Sequence, residues 1–300
     1  MNTSKKKLIV VGGPTASGKT TLAIALAQHF QTEIISFDAR QFYAEMNIGT
    51  AKPTREELAQ VPHHFIGHKS IKDNYNAGDF EKDADGLSLN LLNKYNVLIA
   101  TGGSGLYLDA WLNGLNQFPE VNAEVRNELI ALYEKEGISA LQILLKEKDP
   151  AYYRTVDLFN HRRLIRALEI CLSARAPYST FLNREPKKHL FDISMIGIDL
   201  PRKILYERIN LRVNTMIEKG LEEEAYLLYP YRHYKALHTI GYSEWFEYFE
   251  KRFTREETIL SIKQNTRNYA KRQMTWFRRY EQLHWIQQVN VKTCLGRLGL

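Results

Sequence analysis

One octapeptide near the start of the chain has the composition and spacing of a phosphate-binding loop. Its sequence is Gly13-Pro14-Thr15-Ala16-Ser17-Gly18-Lys19-Thr20, which matches the pattern Gly-x-x-x-x-Gly-Lys-Ser/Thr. The glycines let backbone N–H groups turn toward phosphate oxygens, and Lys19 adds a full positive charge. The Thr20 hydroxyl suits a phosphate-bound Mg²⁺. Residues 13–20 are therefore predicted to bind the diphosphate or triphosphate end of a substrate.

Two further polar side chains, Asp38 and Ser104, follow segments with the pattern of strands. Asp38 comes directly after 33–37, and Ser104 lies in the Thr-Gly-Gly-Ser-Gly-Leu-Tyr turn at 101–107. Ligands of open parallel sheets bind where the strands end. There a carboxylate can accept a proton from a nucleophile or hold a metal, and a hydroxyl can orient an acceptor group. Both residue types are also common in turns and at helix N-caps, and the residues alone leave both interpretations open.

The elements that must position these residues have a strand–helix–strand pattern. Residues 8–12 are continuously apolar and mostly β-branched, which is typical of a buried parallel strand. The segment 19–30 has helical periodicity, and 33–37 and 96–101 have the pattern of strands. This order predicts an α/β fold, a P-loop-type parallel sheet covered by helices.

The middle of the chain has a different pattern. Residues 121–145 and 150–175 are predicted to be amphipathic helices without a strand between them, and 191–200 is again strand-like. An all-helical insertion domain is thus expected to interrupt the α/β core. The predicted boundaries are 1–117 for the first part of the core, 118–190 for the insertion, and 191–300 for the second part with its basic C-terminal helical region.

The composition argues against several classes of protein. No apolar segment approaches the roughly 20 residues of a membrane span, and the basic N-terminus is followed by only four apolar residues before a glycine. Neither membrane insertion nor secretion is expected. Cys171 and Cys294 have no metal-binding spacing and are expected to be reduced thiols of a cytoplasmic protein.

The net charge of +7 is concentrated in one segment. Residues 251–280 contain nine Lys or Arg against two Glu, whereas the other 270 residues carry equal numbers of basic and acidic side chains. Such an excess fits a surface that binds a polyanion, and it also fits a solvated helix with surplus charge. Charge alone does not decide between them.

The phosphate loop by itself favours a nucleotide kinase or NTPase, because most such loops bind ATP or GTP. Two features oppose this interpretation. The strand at 96–101 ends in Thr-Gly-Gly rather than in an Asp that would hold magnesium, and no Arg-rich lid is visible in the sequence. Asp38, at the end of another strand, is able to take the role of the missing magnesium-binding Asp.

Four segments in this order are more specific than any one of them. They are GPTASGKT at 13–20, Asp38-Ala39-Arg40-Gln41 leading into MNIGTAKP at 46–53, TGGSGLY at 101–107, and YAKRQMTWF at 269–277. With them the chain resembles the bacterial tRNA dimethylallyltransferases, also called isopentenyl-tRNA transferases, over nearly its whole length. Shorter matches occur at 163–169, at 212–221 and at 240–242.

The resemblance implies transfer of a dimethylallyl group from its diphosphate to the exocyclic amine of the adenosine 3′ to the anticodon in tRNA. The phosphate loop then grips a departing diphosphate. Lys19, Arg212 and a Mg²⁺ held by Thr20 stabilise the charge that develops on pyrophosphate, with Arg208 as the alternative to Arg212. Asp38 takes the proton from the attacking amine, and Ser104 helps to place that nitrogen.

The resemblance also implies contacts with the anticodon stem-loop, since a base must leave its stack to react. The basic C-terminal segment adds phosphate contacts, while Trp276 and Phe277 within it are expected to be core residues. No obligate protein partner is implied, and a monomer is expected. The implied tRNA-binding residues are Asp38, Ala39, Arg40, Gln41, Ser104, Arg126, Arg162, Arg163, Leu164, Ile165 and Arg166.

The sequence departs from the family pattern at several of these positions. Ala39 and Arg40 replace a usual Ser-x, Ser104 stands where Thr is usual, and His161-Arg162 replaces a common Pro-Gln. No zinc finger is expected after the core. Two alternatives are a nucleotide kinase and an adenylate isopentenyltransferase that acts on a free nucleotide. The helical insertion and the basic segment argue against the latter, and the intact Lys19, Thr20 and Asp38 argue against a non-catalytic RNA-binding module.

Overall fold

A six-stranded parallel sheet is the centre of the larger of two compact units. The structure is a computed structural model that describes residues 6–183 and 185–300. The strands lie in the order β3-β2-β4-β1-β5-β6, and every neighbouring pair is parallel, as predicted. The strands are β1 (Lys7–Gly12), β2 (Ile34–Ser36), β3 (His63–His64), β4 (Val97–Thr101), β5 (Asp192–Ile198) and β6 (Leu283–Ile286).

Helices cover both faces of this sheet. Alternate residues of β1 belong to two different clusters of buried side chains: Leu8 and Val10 to one, Ile9 and Val11 to the other. Burial on both faces explains why the strand is continuously apolar. The helices are α1 (Lys19–His29), α2 (Arg55–Gln60), α3 (Ala77–Leu92), α4 (Gly105–Asn113), α5 (Ala123–Glu136), α6 (Ile138–Lys148), α7 (Pro150–Tyr153), α8 (His161–Ala174), α9 (Arg202–Glu218), α10 (Leu221–Leu228), α11 (Ser243–Phe249), α12 (Arg255–Phe277) and α13 (Val291–Leu298).

The smaller unit comprises residues 113–187 and contains helices but no strand among its described residues. Its core is formed where α5, α6 and α8 pack together around Leu129, Leu141 and Leu164. The buried carboxylate of Asp149 accepts the N–H of Tyr152 at 2.9 Å and the N–H of Ser179 at 2.6 Å. That carboxylate therefore holds the start of α7 against the segment after α8.

Several predicted boundaries differ from those of the structure. The predicted helix 121–145 is two helices, because Gly137 adopts a φ of 77° between them. The predicted helix 150–175 is also two, and the short strands β3 and β6 were not predicted. The units divide at 113 and 188, where the sequence predicted 118 and 191. Within the part of the chain that the structure describes, no helix is both long and apolar enough to cross a membrane.

Candidate active site

A cavity of about 1070 Å³ opens where β1, β2 and β4 end. Its wall includes the phosphate loop from Thr15 onward, Asp38 after β2, and Thr101 and Gly102 at the end of β4. Parallel strands bring these segments to one edge, as the sequence predicted. The cavity is thus the candidate site.

The phosphate loop runs from β1 into the first turn of α1. Gly18 precedes the helix with a φ of 99°, a left-handed conformation that favours glycine. No side chain caps this end of α1, so the amides of its first turn remain for an anion. Ser17 is buried, and its hydroxyl has no hydrogen-bond partner among the described residues. The loop therefore has the geometry of an anion site.

Lys19 reaches back across the loop. Its Nζ donates a hydrogen bond to the Pro14 carbonyl at 2.7 Å. Burial lowers the pKa of Lys19 to about 8, the nearby Asp38 carboxylate opposes this change, and Arg212 adds to it. A phosphate in the loop would supply the negative charge that this buried ammonium lacks.

Arg212 and Arg208 both approach the loop from α9. The Arg212 Nη1 donates to the Thr15 hydroxyl at 3.2 Å, and the Arg208 Nη1 donates to the Ser17 carbonyl at 3.4 Å. Burial lowers the pKa of Arg212, whereas Arg208 is exposed. The guanidinium of Arg212 is more enclosed than that of Arg208. This supports the prediction that Arg212, rather than Arg208, binds the diphosphate.

The turns after β2 and β4 are joined at Ser104. The Ser104 hydroxyl accepts the Ala39 N–H at 2.9 Å, and Asp38 Oδ1 accepts the Arg40 N–H at 3.1 Å. Asp38 therefore does shape its own turn, which was the alternative interpretation of this residue. Its second carboxylate oxygen is not needed for that turn, and Asp38 lines the cavity.

Tyr269 on α12 is a cavity residue to which the sequence assigned no function. Its phenol interacts with the Ser104 hydroxyl, and burial raises the pKa of Tyr269. The Arg40 guanidinium carbon lies 4.2 Å from the centre of the Tyr269 ring, a cation–π contact. The Gln41 Nε2 turns instead toward the Ala51 carbonyl, 3.0 Å away. Its side chain supports a loop of the cavity wall.

A second unpredicted contact comes from Gln273, one helical turn after Tyr269. The glutamine accepts the Thr15 N–H at 2.8 Å and donates to the Gly103 carbonyl at 2.9 Å. A Cβ on Gly103 would lie 2.0 Å from the Gln273 Nε2, and one on Gly105 would lie 2.1 Å from Trp276. The absence of a side chain at Gly103 and Gly105 thus allows α12 to pack closely against this turn.

The segment 46–53 is held in place by Glu224. This carboxylate accepts the N–H groups of Asn47, Ile48 and Gly49 at 2.9 to 3.1 Å, and the Tyr242 hydroxyl at 2.6 Å. The matches at 46–53 and 240–242 are therefore two parts of one buried contact. Both segments form part of the cavity wall.

The charged side chains of the cavity wall are mostly basic. Its acidic residues are Asp38 and Glu57. Apolar side chains of α9 and of the segments near 48 and 240 form another part of the wall. The site therefore suits a ligand with a strongly anionic end and an apolar end. The basic side chains of the wall are Lys19, Arg40, Lys52, Arg55, Arg208, Arg212 and Lys219.

The remaining predicted RNA-binding residues lie in the smaller unit. Arg162, Arg163 and Arg166 are exposed on α8. Arg126 and Arg166 both pair with the buried carboxylate of Glu169. This pairing holds the two guanidinium groups at the surface.

Leu164 and Ile165 require a correction, because their side chains are buried in the core of the helical unit. They stabilise α8 and present no side-chain surface to RNA.

Part of the basic C-terminal segment is neutralised by neighbours. Arg255 pairs with Glu222 at 2.8 Å, and Arg252 pairs with Glu247 and Glu250. Phe277 is fully buried, as predicted, and Trp276 is half-buried. The exposed cations at the end of α12 are Lys271, Arg272, Arg278 and Arg279.

No group of three or more His, Cys, Asp or Glu that could hold a metal occurs in residues 6–183 and 185–300. The cavity offers Thr20 and Asp38 as oxygen donors. Mg²⁺ is commonly held by one or two protein oxygens together with substrate phosphates. The donor set thus fits a magnesium ion that arrives with a diphosphate.

The sheet, its phosphate loop and the polar turns at the same edge place the chain among the enzymes that handle phosphate esters on a P-loop-type α/β fold. More narrowly, the chain belongs to the IPP transferase family, whose model matches residues 41–280. This confirms the family predicted from the sequence.

Two curated relatives and one solved structure illustrate the similarity. The chain is 50% identical to a tRNA dimethylallyltransferase of Christiangramia forsetii over 280 residues, with 93% of each chain covered. It is 48% identical to a tRNA dimethylallyltransferase of Flavobacterium johnsoniae over 286 residues, again with 93% of each covered. The crystal structure of a full-length tRNA isopentenylpyrophosphate transferase from Bacillus halodurans superposes with a TM-score of 0.71 at 35% identity, covering 98% of this chain and 97% of that one.

Proposed function

We propose that this chain transfers the dimethylallyl group from dimethylallyl diphosphate to the exocyclic amine of the adenosine 3′ to the anticodon in tRNA, releasing pyrophosphate. One observation carries the proposal: a single cavity is lined by both the phosphate loop and the Asp38 turn. The two curated relatives are named tRNA dimethylallyltransferases, which supports the proposal for this chain. The residues proposed to react lie on one chain, and we propose a monomer that acts in the cytoplasm, where tRNA is modified.

The leaving group is proposed to lie in the phosphate loop. The amides of residues 16–20 and the Lys19 ammonium bind the diphosphate, and the Arg212 guanidinium, already placed by Thr15, binds it from α9. As the allylic carbon–oxygen bond breaks, its electron pair leaves with pyrophosphate. These fixed positive groups stabilise the added charge.

The acceptor is proposed to lie at the Asp38 turn. The adenine amine forms the new carbon–nitrogen bond at the allylic carbon and loses one proton, which Asp38 accepts. Ser104 and Tyr269, which contact each other beside Asp38, would orient the base. The family's usual Thr is Ser104 here, and the hydroxyl that the role requires is retained.

Thr20 would hold Mg²⁺ together with the diphosphate. The ion would supply Lewis-acid stabilisation of the departing pyrophosphate.

The transfer assay tests the whole proposal. Protein is incubated with labelled dimethylallyl diphosphate, Mg²⁺ and an unmodified tRNA that reads codons beginning with U, and label in RNA and free pyrophosphate are measured. We expect the two products in equal amounts, and loss of both when a chelator removes the metal. The matched control is the same tRNA with guanosine 3′ to the anticodon, which should accept no label.

Two further arms separate the alternatives. Transfer to AMP but not to tRNA would establish an adenylate isopentenyltransferase. Phosphate transfer from ATP without prenyl transfer would establish a kinase and overturn the proposal. Nothing in the geometry of the cavity favours either alternative over tRNA.

A further inference from the structure

The Gln273 side chain is hydrogen-bonded both to the phosphate loop, at Thr15, and to the glycine turn, residues 101–107, at Gly103. It projects from α12 and is buried, with 4% of its surface exposed. We propose that Gln273 is a positioning residue that fixes the separation between the leaving group and the acceptor. The inference rests on the proposed function, and it assigns to Gln273 no direct contact with either substrate.

On the leaving-group side, the contact of Gln273 extends beyond one hydrogen bond. Its Oε1 accepts the Thr15 N–H at 2.8 Å, and the hydroxyl of the same Thr15 accepts Arg212 Nη1 at 3.2 Å. Since the Thr15 amide is already used, the amides that follow it are the ones available to phosphate. Gln273 thereby fixes the start of the loop and, through Thr15, the guanidinium proposed to bind the diphosphate.

On the acceptor side, Gln273 holds the residue before Ser104. Its Nε2 donates to the Gly103 carbonyl at 2.9 Å. Ser104 in turn accepts the Ala39 N–H at 2.9 Å, next to Asp38. The contact is tight, because even a methyl group on Gly103 would meet the Gln273 Nε2 at 2.0 Å.

The amide group suits this position for a chemical reason. It has to accept from one backbone N–H and donate to one backbone C=O, and a carboxamide does both at fixed separation. The reversed amide would put NH₂ against N–H and oxygen against oxygen. Ala270 and Phe277, on the same side of α12, are buried and hold the helix in place. The two halves of the site are thus held by one short, enclosed connection.

Such a connection matters because transfer depends on the approach of two bound groups. A misplacement of about 1 Å in reacting groups can reduce turnover about 100-fold without a matching loss of binding. Loss of Gln273 should therefore act on turnover. Affinity for either substrate should change little, since the groups that bind them remain.

The test compares Gln273→Met, which keeps the length and removes both hydrogen bonds, with Gln273→Glu. The Glu variant can still accept from Thr15, but it opposes the Gly103 carbonyl with an oxygen. The control is Thr258→Ala, a buried position on the same helix that does not line the cavity. We expect both Gln273 variants to lower the single-turnover rate of transfer by about tenfold or more. The dissociation constants for tRNA and for an unreactive allyl diphosphate analogue should stay within about threefold of wild type.

Amide hydrogen exchange gives a readout that activity does not. Exchange near Thr15 should accelerate in Gln273→Met but not in Gln273→Glu. Exchange near Gly103 to Gly105 should accelerate in both Gln273 variants. In Thr258→Ala, exchange in both regions should stay as in the wild type. Variants with wild-type turnover, or with turnover and both affinities reduced together, would overturn the inference while the proposed function stands. A wild-type protein that transfers nothing to tRNA would overturn the proposed function and this inference with it.

Discussion

Asp38 combines two tasks that a mutation can separate. One carboxylate oxygen accepts the Arg40 N–H and so shapes the turn after β2. The proposed reaction needs the basicity of the carboxylate as well. An amide at this position keeps an oxygen for the turn and removes the base. Asn is for this reason a sharper probe than Ala.

We expect Asp38→Asn to lower the rate of prenyl transfer by about 100-fold or more, the range attributed to general bases. The dissociation constant for tRNA should stay within about threefold of wild type, because the turn is kept. Rates are measured in single turnovers at pH 7, with both substrates saturating. A variant that binds tRNA weakly but turns over at the normal rate when saturated would show that Asp38 binds rather than catalyses.

Lys19 predicts a dependence of diphosphate binding on pH. Burial lowers its pKa to about 8 in the free protein, so the ammonium that the diphosphate needs is progressively lost above that pH. Affinity must therefore fall as pH rises, and binding at pH 9 should be about tenfold weaker than at pH 7. Calorimetry with an unreactive allyl diphosphate analogue measures this, together with proton uptake on binding at the higher pH.

Lys19→Arg is the matched control for this prediction. Arg stays charged across the whole range, so the affinity of the variant, whatever its value, should be constant from pH 7 to 9. An unchanged wild-type affinity over the same range would show that Lys19 keeps its proton in the free protein.

At the scale of elements, the segment 46–53 depends on α10. Three backbone N–H groups and the Tyr242 hydroxyl converge on the Glu224 carboxylate. Hydrogen bonds to a charged acceptor are stronger than those to a neutral one. One side chain thus orders a loop that forms the wall of the cavity, although it takes no part in the proposed chemistry.

Glu224→Gln should lower the free energy of unfolding by about 2 kcal/mol, since the amide offers one acceptor oxygen in place of two and no charge. The corresponding fall in melting temperature is about 3 °C for a chain of this size. Thermal unfolding monitored by circular dichroism measures it. The exposed neighbour Glu223→Gln is the control and should melt within about 1 °C of wild type. Equal melting of the two variants would mean that the loop is held by other contacts.

The parts of the site that the sequence predicts depend on local patterns, and the parts that it does not predict depend on contacts between distant residues. The phosphate loop, Asp38 and Ser104 follow strands whose pattern is local, so the edge they share follows from the rules for parallel sheets. Gln273 meets Thr15 across 258 positions of the chain, and Glu224 meets Gly49 across 175. No periodicity signals such a pair. The strand β3 has two residues and β6 has four, too few for a pattern to emerge.

At α8 the sequence predicted the right face only in part. The i, i+3/i+4 spacing of Arg162, Arg163 and Arg166 places them on one face of the helix, and all three are exposed. Leu164 and Ile165 were included with these arginines through the resemblance, although the helical period turns them to the opposite, buried side. The apolar periodicity was the better guide at those two positions.

At the scale of the whole molecule, substrate contacts are proposed on two compact units: the diphosphate and the reacting base in one, the stem-loop in the other. If the exposed arginines of α8 bind phosphates, Arg162→Ala with Arg163→Ala should raise the dissociation constant for tRNA about tenfold and reduce the slope of log affinity against log salt by about two. Binding of dimethylallyl diphosphate, measured without RNA, should not change, because the phosphate loop lies in the other unit.

The control removes two other exposed cations of the helical unit, Lys135 and Lys146, and should leave the salt slope as it was. If both double variants lower the slope equally, the unit attracts RNA by its general charge, and α8 is not a specific contact.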